Sequence, residues 1–343
     1  MDRTIRSNDS VRSESLDTGF RRYDVVVLAL NSIRTSMSRF KADLLLLLCA
    51  FIWGTAFVAQ KNLHAAAWPV LFVAARFLLS ALLLAPLALS EGRKADAPPL
   101  RRRDLALALL IGACLCVGAT MQQVALTGTT ATNGGFLTAV YVAFVPFVVW
   151  AIAGTRPRPV VLLACAVAVF GAWLLADHGK GGGWSGGDLV LLAADVIWAL
   201  HITLIAKFLG QINRPFLLCF VQYAVTAFGA GIATVYMESA AWADFRASLP
   251  AIAYAGIASG GIAYTLQIVA QKHAPAAEAA LILSLESVFA AIAGAVALHE
   301  RLTPMAMIGC LLILTGAVMV DLAPAMRRGM LRVVRGEAKA PPA

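Results

Sequence analysis

Charge is scarce in this chain. Only 14% of its 343 residues are Asp, Glu, Lys or Arg, against about 25% in an ordinary soluble domain, which excludes a globule that presents a polar face to water. Metal-ligand and disulfide patterns are missing too. The six cysteines, Cys49, Cys114, Cys116, Cys165, Cys219 and Cys310, all fall inside apolar runs, with no C-x-x-C pair and no histidine cluster at ligand spacing. They read as small core residues, so neither a zinc site nor a disulfide framework is expected, and no cofactor. The formal charge of +9 does not point to nucleic acid, because the basic residues sit between apolar runs rather than on one folded face. A secretory leader is not expected either. Val25 to Leu30 is a six-residue apolar run, far short of the ~20 residues that span a bilayer, and no small-residue cleavage site follows it. Residues 1–41 are therefore expected to be a cytoplasmic tail, and Met37, which opens MSRFKADLLLLLCAFIWG, is an alternative start.

What the chain does have is apolar surface. Its hydrophobic fraction is 60% and its mean hydropathy +0.79. Apolar segments close to spanning length recur from Leu44 onward, near 44–62, 68–90, 104–125, 131–153, 159–176, 188–209, 215–237, 249–270, 276–298 and 304–321. In hydrocarbon every backbone N–H and C=O must be paired within the segment, so these are helices. The fold class expected is an all-α membrane protein of ten transmembrane helices, several of them short enough to suggest a tilted bundle.

The chain also repeats itself. Adding 145 to the residue number, without a gap, carries Thr120 to Thr265, Gln122 to Gln267, Phe144 to Phe289, Arg156 to Arg301, Pro159 to Pro304, Cys165 to Cys310 and Gly171 to Gly316. Upstream, Asp43 maps to Asp188 and Trp53 to Trp198; with one extra residue, Pro69 answers to Pro215 and Phe77 to Tyr223. Apolar sequence repeats by chance, but shared Gln, Arg, Pro and Gly positions do not. The expected division is a tail (1–41), a first five-helix unit (42–178), a second (187–321) and a basic tail (322–343).

Lysine and arginine orient the bundle. They gather before helix one (Arg34, Arg39, Lys41), after helix two (Arg93, Lys94, Arg101 to Arg103) and in the alternate loops thereafter (Arg156, Arg158, Arg214, Lys272), with more in the C-terminal tail. The opposite loops hold little beyond Lys61, Lys180, Arg246 and Arg301. By the positive-inside rule both termini are cytoplasmic, which ten spans satisfy. Five spans is an odd number, so the second unit enters the membrane from the other side. Two inverted repeats enclosing a midplane site is the design of secondary transporters.

The segments IWGTAFVAQK (Ile52 to Lys61), ARF (Ala75 to Phe77) and LESVFAAIAGAVALHERLTPMAMIGCLLILTGAV (Leu285 to Val318) resemble the drug/metabolite transporter superfamily, in particular its EamA-type members with ten helices and two EamA repeats. The resemblance covers Asp43 to Asp321. Ser287 stands where many members have proline after the glutamate, and Thr155-Arg156 where they have Glu-Arg. The resemblance implies export or exchange of small metabolites, amino acids or drugs across the cytoplasmic membrane without ATP hydrolysis.

Buried charge marks the candidate site, because an ionisable group at helix centre costs ~2.5 to 3.5 kcal/mol. Arg76, Asp195 and Glu286 qualify, and the matched depths of the first two allow an Arg76–Asp195 pair, with Arg76–Glu286 the alternative. Such a pair either clamps the two halves or serves transport. Glu286 replaces Tyr141 of the first unit and is the leading group for proton coupling or for a substrate ammonium. His201 is a packing hydrogen-bonder or a site residue. The mates Trp53 and Trp198 line a cavity or fill the core. Gln122, Gln123, Gln222, Tyr223, Tyr264 and Gln267 offer hydrogen bonds either to substrate or between helices. Gly256 and Gly260 mark a close approach, Pro146 a kink in the fourth span, and Lys61 is expected to snorkel to the interface.

Other classes fit less well. Ser185, in GWSG, sits about four turns from His201, too far for a serine protease; Asp188 and Asp195 lie on one helix, not two, against an aspartyl protease. A passive channel or a receptor built on the same bundle is the alternative function. The expected partners are a small-molecule substrate, the lipid bilayer and protons as coupling ion.

Overall fold

The computed structural model describes residues 38–62, 68–93, 99–129, 131–175, 186–212, 214–239, 242–299 and 301–334. The tail residues before Ser38, Met37 among them, the Ser185 loop, Lys180 and the Lys61 side chain lie outside the described residues. The described residues are helical apart from short connections, with no strand. Among them thirteen α-helices follow in order: α1 (Arg39–Asn62), α2 (Pro69–Gly92), α3 (Arg102–Ala125), α4 (Ala131–Ala139), α5 (Tyr141–Ala153), α6 (Pro159–Leu175), α7 (Gly186–Gln211), α8 (Pro215–Met237), α9 (Trp242–Tyr254), α10 (Tyr264–Gln271), α11 (Ala276–Leu283), α12 (Glu286–Ala297) and α13 (Pro304–Val334). A π-helical stretch, Ala255–Ala263, joins α9 to α10. The pairs α4/α5 and α11/α12 and the run α9 to α10 each make one span, so thirteen helices make ten crossings. Eight of the crossings are long and apolar enough to traverse a membrane, and two, Pro159–Leu174 and Pro304–Met319, are shorter apolar helices.

Four helices, α2, α6, α8 and α13, begin on proline. At that position the missing N–H is one no helix bond would use and the fixed φ suits the first turn. The last helix runs past the apolar stretch that ends near Asp321 and continues to Val334. Its continuation is rich in Met, Leu, Ala and Arg, all good helix formers, so half of the expected C-terminal tail is helix.

The two units interlock about a pseudo-twofold axis. Helix α2 packs along its mate α8, and α6 along its mate α13. Helix α1 packs on α12, α10 and the π stretch of the other unit, while its mate α7 packs on α3 and α5 of the first. Glycine permits the α6–α13 approach. A Cβ on Gly171 would lie 2.7 Å from the Gly309 carbonyl oxygen, and a Cβ on its mate Gly316 would lie 2.8 Å from that of Ala164, the mate of Gly309.

The α2–α8 pair is antiparallel, and each helix caps the other. Both carboxylate oxygens of Glu238, just past the end of α8, accept from the Val70 and Leu71 N–H groups that open α2, at 2.8 and 2.9 Å. Glu91, near the end of α2, accepts from the Leu217 N–H that opens α8, at 2.9 Å. Each carboxylate satisfies donors that no helix bond can reach and sits at the positive end of a helix dipole. An antiparallel pair of mates requires the second unit to be inverted.

One side-chain cluster ties the units together at a single face. Glu278, in the first turn of α11, bonds Arg39 of α1 at 2.6 Å and also Arg158, which precedes α6; Arg39 further bonds Asp43 at 2.7 Å. The starts of the first, fifth and ninth spans therefore share one face, as odd-numbered spans must.

Substituting Gly316→Val is expected to lower stability by about 1–3 kcal/mol, the usual cost of overpacking. Gly231→Ala, at a position open for 4 Å around, is expected to leave stability equal or up to ~1 kcal/mol higher. Thermal unfolding of the detergent-purified variants by intrinsic fluorescence checks both.

Candidate functional site

Both fourth spans break, and they break at mates. Val140 lies between α4 and α5, Ser284 and Leu285 between α11 and α12. At each break one backbone bond tightens from the helical to the three-residue pattern: Val140 N–H to Leu137 O and Leu285 N–H to Ile282 O, both at 3.2 Å, and the two bonds are related by the repeat offset. The expected kink at Pro146 is thus displaced to Val140; Pro146 remains inside α5. The residues that open the second half-helices are Tyr141 and Glu286. A carboxylate in the first turn of a half-helix sits at the positive end of its dipole, so α12 offers Glu286 a position that an uninterrupted span does not.

A cavity lies at these breaks. Nine of the residues picked out in sequence line it: Trp53, Arg76, Gln122, Tyr141, Trp198, His201, Tyr264, Gln267 and Glu286. To the centre of a water-sized sphere its open volume is about 40 Å³, room for about three waters, so the conformation is a contracted one. Tyr264 is the hub of its aromatic wall, with ring centroids 4.6 Å from Trp53, 6.5 Å from Trp198 and 6.2 Å from His201. The mates Trp53 and Trp198 thus meet the same tyrosine. Tyr141 and Glu286 border the cavity near one another, but the Tyr141 hydroxyl has no partner of normal hydrogen-bond geometry.

The π stretch forms the third wall. Its carbonyls accept three side-chain bonds: from Trp53 Nε1 at Ser259 O (3.2 Å), from Ser80 Oγ at Gly256 O (2.7 Å) and from Tyr223 Oη at Gly260 O (2.9 Å). Gly256 allows this packing, since a Cβ there would lie 2.9 Å from the Arg76 carbonyl oxygen. The equivalent stretch of α3 is ordinary helix. Widened turns of this kind gather at functional sites, and this one opens helix carbonyls to donors on α1, α2 and α8.

Two sequence candidates stand behind the wall instead of on it. Gln222, fully buried, holds His201 through a 2.9 Å bond between Gln222 Oε1 and His201 Nε2, which fixes the imidazole that faces the cavity. Asp195 is also fully buried, and neither of its carboxylate oxygens has a hydrogen-bond partner. The expected Arg76–Asp195 pair is not formed, and neither is Arg76–Glu286. Arg76 instead makes one bond, Nη1 to Gln60 Oε1 at 3.5 Å, beneath the rings of Phe77 and Phe72, whose centroids are 4.8 and 5.4 Å from its Cζ. Equal depth in two helices set up the expectation; the Arg76 guanidinium is instead held against Phe72 and Phe77 and turned to Gln60.

Sequence reading passed over Gln60, Phe57, Thr138, Ile202 and Ser259, which also line the cavity. A signal existed for Gln60, a polar residue one turn from the end of an apolar helix. Nothing marked the others. Among the described residues no group of three or more His, Cys, Asp or Glu side chains is placed to hold a metal ion.

Comparison with known proteins places these features. The EamA-like transporter family matches residues 40–176 and again 185–321. An uncharacterized transporter of Archaeoglobus fulgidus is 28% identical over 312 residues, covering 89% of this chain and 96% of its own. The uncharacterized transporter YwfM of Bacillus subtilis is 26% identical, covering 82% and 94%. A solved crystal structure shares the fold, with a TM-score of 0.68 at 19% identity over 83% of this chain and 98% of that one.

The absence of a direct Arg76–Asp195 contact predicts near-additive effects. The stability losses of Arg76→Ala and Asp195→Asn are expected to sum to that of the double variant within about 0.5 kcal/mol. Chemical or thermal unfolding of the four proteins measures the coupling, and a coupling above about 1 kcal/mol would show that the pair forms in solution.

Proposed function

The chain belongs to the EamA-like transporter family, and on that premise we propose that it moves a small polar solute across the cytoplasmic membrane by alternating access, with both termini in the cytoplasm. The observation that carries this reading is the pair of helix breaks at mate positions, Val140 and Leu285, around one contracted cavity. Discontinuous helices at a repeat interface leave backbone and dipole ends free for a substrate, and a unit that matches its partner can take up the partner's conformation. The ion cluster of Glu278, Arg39, Arg158 and Asp43 closes one face in this reading, and its opening exposes the cavity to the cytoplasm. Its repeat mates are Asn133, Thr303 and Asp188 at the positions of Glu278, Arg158 and Asp43, so two of these three positions change chemistry between the units.

The favoured solute is amino-acid-like, with Glu286 receiving its ammonium group or exchanging a proton against it. Support comes from the position of Glu286 at the break, the Tyr141 hydroxyl beside it and the aromatic wall, which suits a cation as well as an apolar side chain. Asp195 lies within electrostatic reach of Glu286, and two buried acids without a cation between them are poorly tolerated as a doubly charged pair, which favours proton exchange at this place. Efflux or exchange is the direction that fits a family resembling metabolite exporters.

Counterflow in proteoliposomes tests the reading with a radiolabelled pool of L-amino acids. Unlabelled pool inside the vesicles is expected to accelerate uptake of label, and Glu286→Gln to reduce that exchange by about tenfold or more while the protein stays monodisperse. Uptake indifferent to the internal pool would indicate a passive pore instead. For the lock, Glu278→Gln is expected to raise the labelling rate of a cysteine placed at Gln267, in a background without native cysteines, by an impermeant thiol reagent added from the Arg39 face; an unchanged rate would separate the cluster from gating.

A further inference from the structure

Arg76 is a cation without a counter-ion. The residue is only 5% exposed, it lines the cavity, and its guanidinium forms no ion pair with Asp195 or Glu286 or any other described acid. Of its five N–H donors, one reaches Gln60 Oε1 at 3.5 Å, the limit of a hydrogen bond, and Nε is buried with no partner at all. The Phe72 and Phe77 rings shield the guanidinium, which leaves its donor edge as the part available to a ligand. Such an arrangement is costly at membrane depth unless something else supplies the negative charge.

The shape of the group says what that something is. A guanidinium presents parallel donors in one plane, which match the two oxygens of a carboxylate. Its surroundings agree. Gln60, a neutral amide, holds one corner of the fork without consuming the charge. The Arg76 backbone is fixed by the Gly256 approach and by Ser80, whose Oγ donates to Gly256 O and, at 2.9 Å, to Arg76 O. The cavity beside it is small, which suits a compact planar anion better than a bulky one. Glu286 lines the same cavity, the one acid among its described lining residues, so a ligand with both charges meets a partner for each.

We propose that Arg76 is the anion subsite of the transported solute, receiving its carboxylate on the guanidinium fork while Gln60 holds the fork in place. The proposal deepens the carrier reading above and rests on it for the word "transported", but the binding step stands on the Arg76 geometry alone. Arg76 selects for substrates that carry a carboxylate, and the amide or ester of the same compound is rejected because it leaves the guanidinium uncompensated.

The test uses the detergent-purified full chain and three pools: L-amino acids, the matching amino-acid amides, and the matching deaminated carboxylic acids, with sodium chloride at equal ionic strength as a control. Binding is read as a ligand-dependent rise in melting temperature. The amino-acid and carboxylic-acid pools are expected to stabilise the wild type and the amide pool not to. Arg76→Gln is expected to weaken binding of the two carboxylate pools by roughly 10- to 100-fold, the range for a lost charge-assisted hydrogen bond, and Arg76→Lys, which keeps the charge without the fork, to recover part of it. Amides that bind as well as acids, a flat response to all three pools, an equal response to chloride, or an Arg76→Gln variant with undiminished carboxylate binding would each overturn the subsite. Should Arg76→Gln fail to fold, the acid-against-amide comparison on the wild type still decides. Vesicle counterflow with the same pools separates the two readings: exchange without carboxylate selectivity overturns the subsite and leaves the carrier, and carboxylate-selective binding without exchange does the reverse.

Discussion

A backbone in hydrocarbon has no water to bond, so each N–H and C=O that leaves the helical pattern must find another partner inside the protein. That constraint decides where this bundle can be irregular. Among the described residues, its departures inside the spans, apart from the 3-10 turn that ends the third at Leu126–Gly128, are the breaks at Val140 and at Ser284-Leu285 and the π stretch from Ala255 to Ala263. All three adjoin one cavity, through Tyr141, Glu286 and Ser259. The π carbonyls are met by Trp53, Ser80 and Tyr223, and the breaks retain tightened backbone bonds. Irregular backbone is stable there because polar side chains from neighbouring spans pay for it.

The twofold relation between the units explains the scaffold, and departures from it account for the chemistry. Gly171 and Gly316, the α2–α8 caps and the mated breaks preserve the relation. So does the left-handed backbone that ends each fourth span, at Gly154 (φ 67°) and at its mate His299 (φ 56°), although a non-glycine residue pays strain to keep it. Glu286 opposite Tyr141 and the π stretch opposite ordinary helix in α3 break the relation at the midplane, as Glu278 opposite Asn133 does at one face. In the alternating-access reading proposed above, a symmetric carrier would hold its two access states at equal energy, and the added acids would set a preferred one.

Much of this was legible without coordinates. The expected starts at Pro159, Pro215 and Pro304 agree with the structure to the residue and the one at 68 falls one before Pro69, because a ring without an N–H suits the first turn of a helix. Apolar run lengths placed all ten spans, and polar residues at mid-depth picked out most of the cavity lining. The breaks were not legible, since Val140 and Leu285 are flanked by neither proline nor glycine; packing of the two units, not local propensity, sets them. The Arg76 partner was misjudged for a related reason. Depth along a helix can be counted from sequence, but the rotation of that helix about its axis and the rings a side chain packs against cannot.

The unpaired state of Arg76 and Asp195 also bears on how the cavity opens. Closing two charged residues onto each other would have given the contracted conformation an internal salt bridge, and opening would then have to break it. Here the contracted cavity keeps its cation and its acids apart, with Phe72, Phe77 and Gln60 around the one and Glu286 near the other. The ion pairs sit at one face instead, among Arg39, Asp43, Arg158 and Glu278, where the arginines are partly exposed and Glu278 is buried. In the carrier reading proposed above, parting this cluster returns the arginines to water, whereas a buried pair at the midplane is costly to separate. On that reading a solute, not the protein's own side chains, completes the electrostatics of the site.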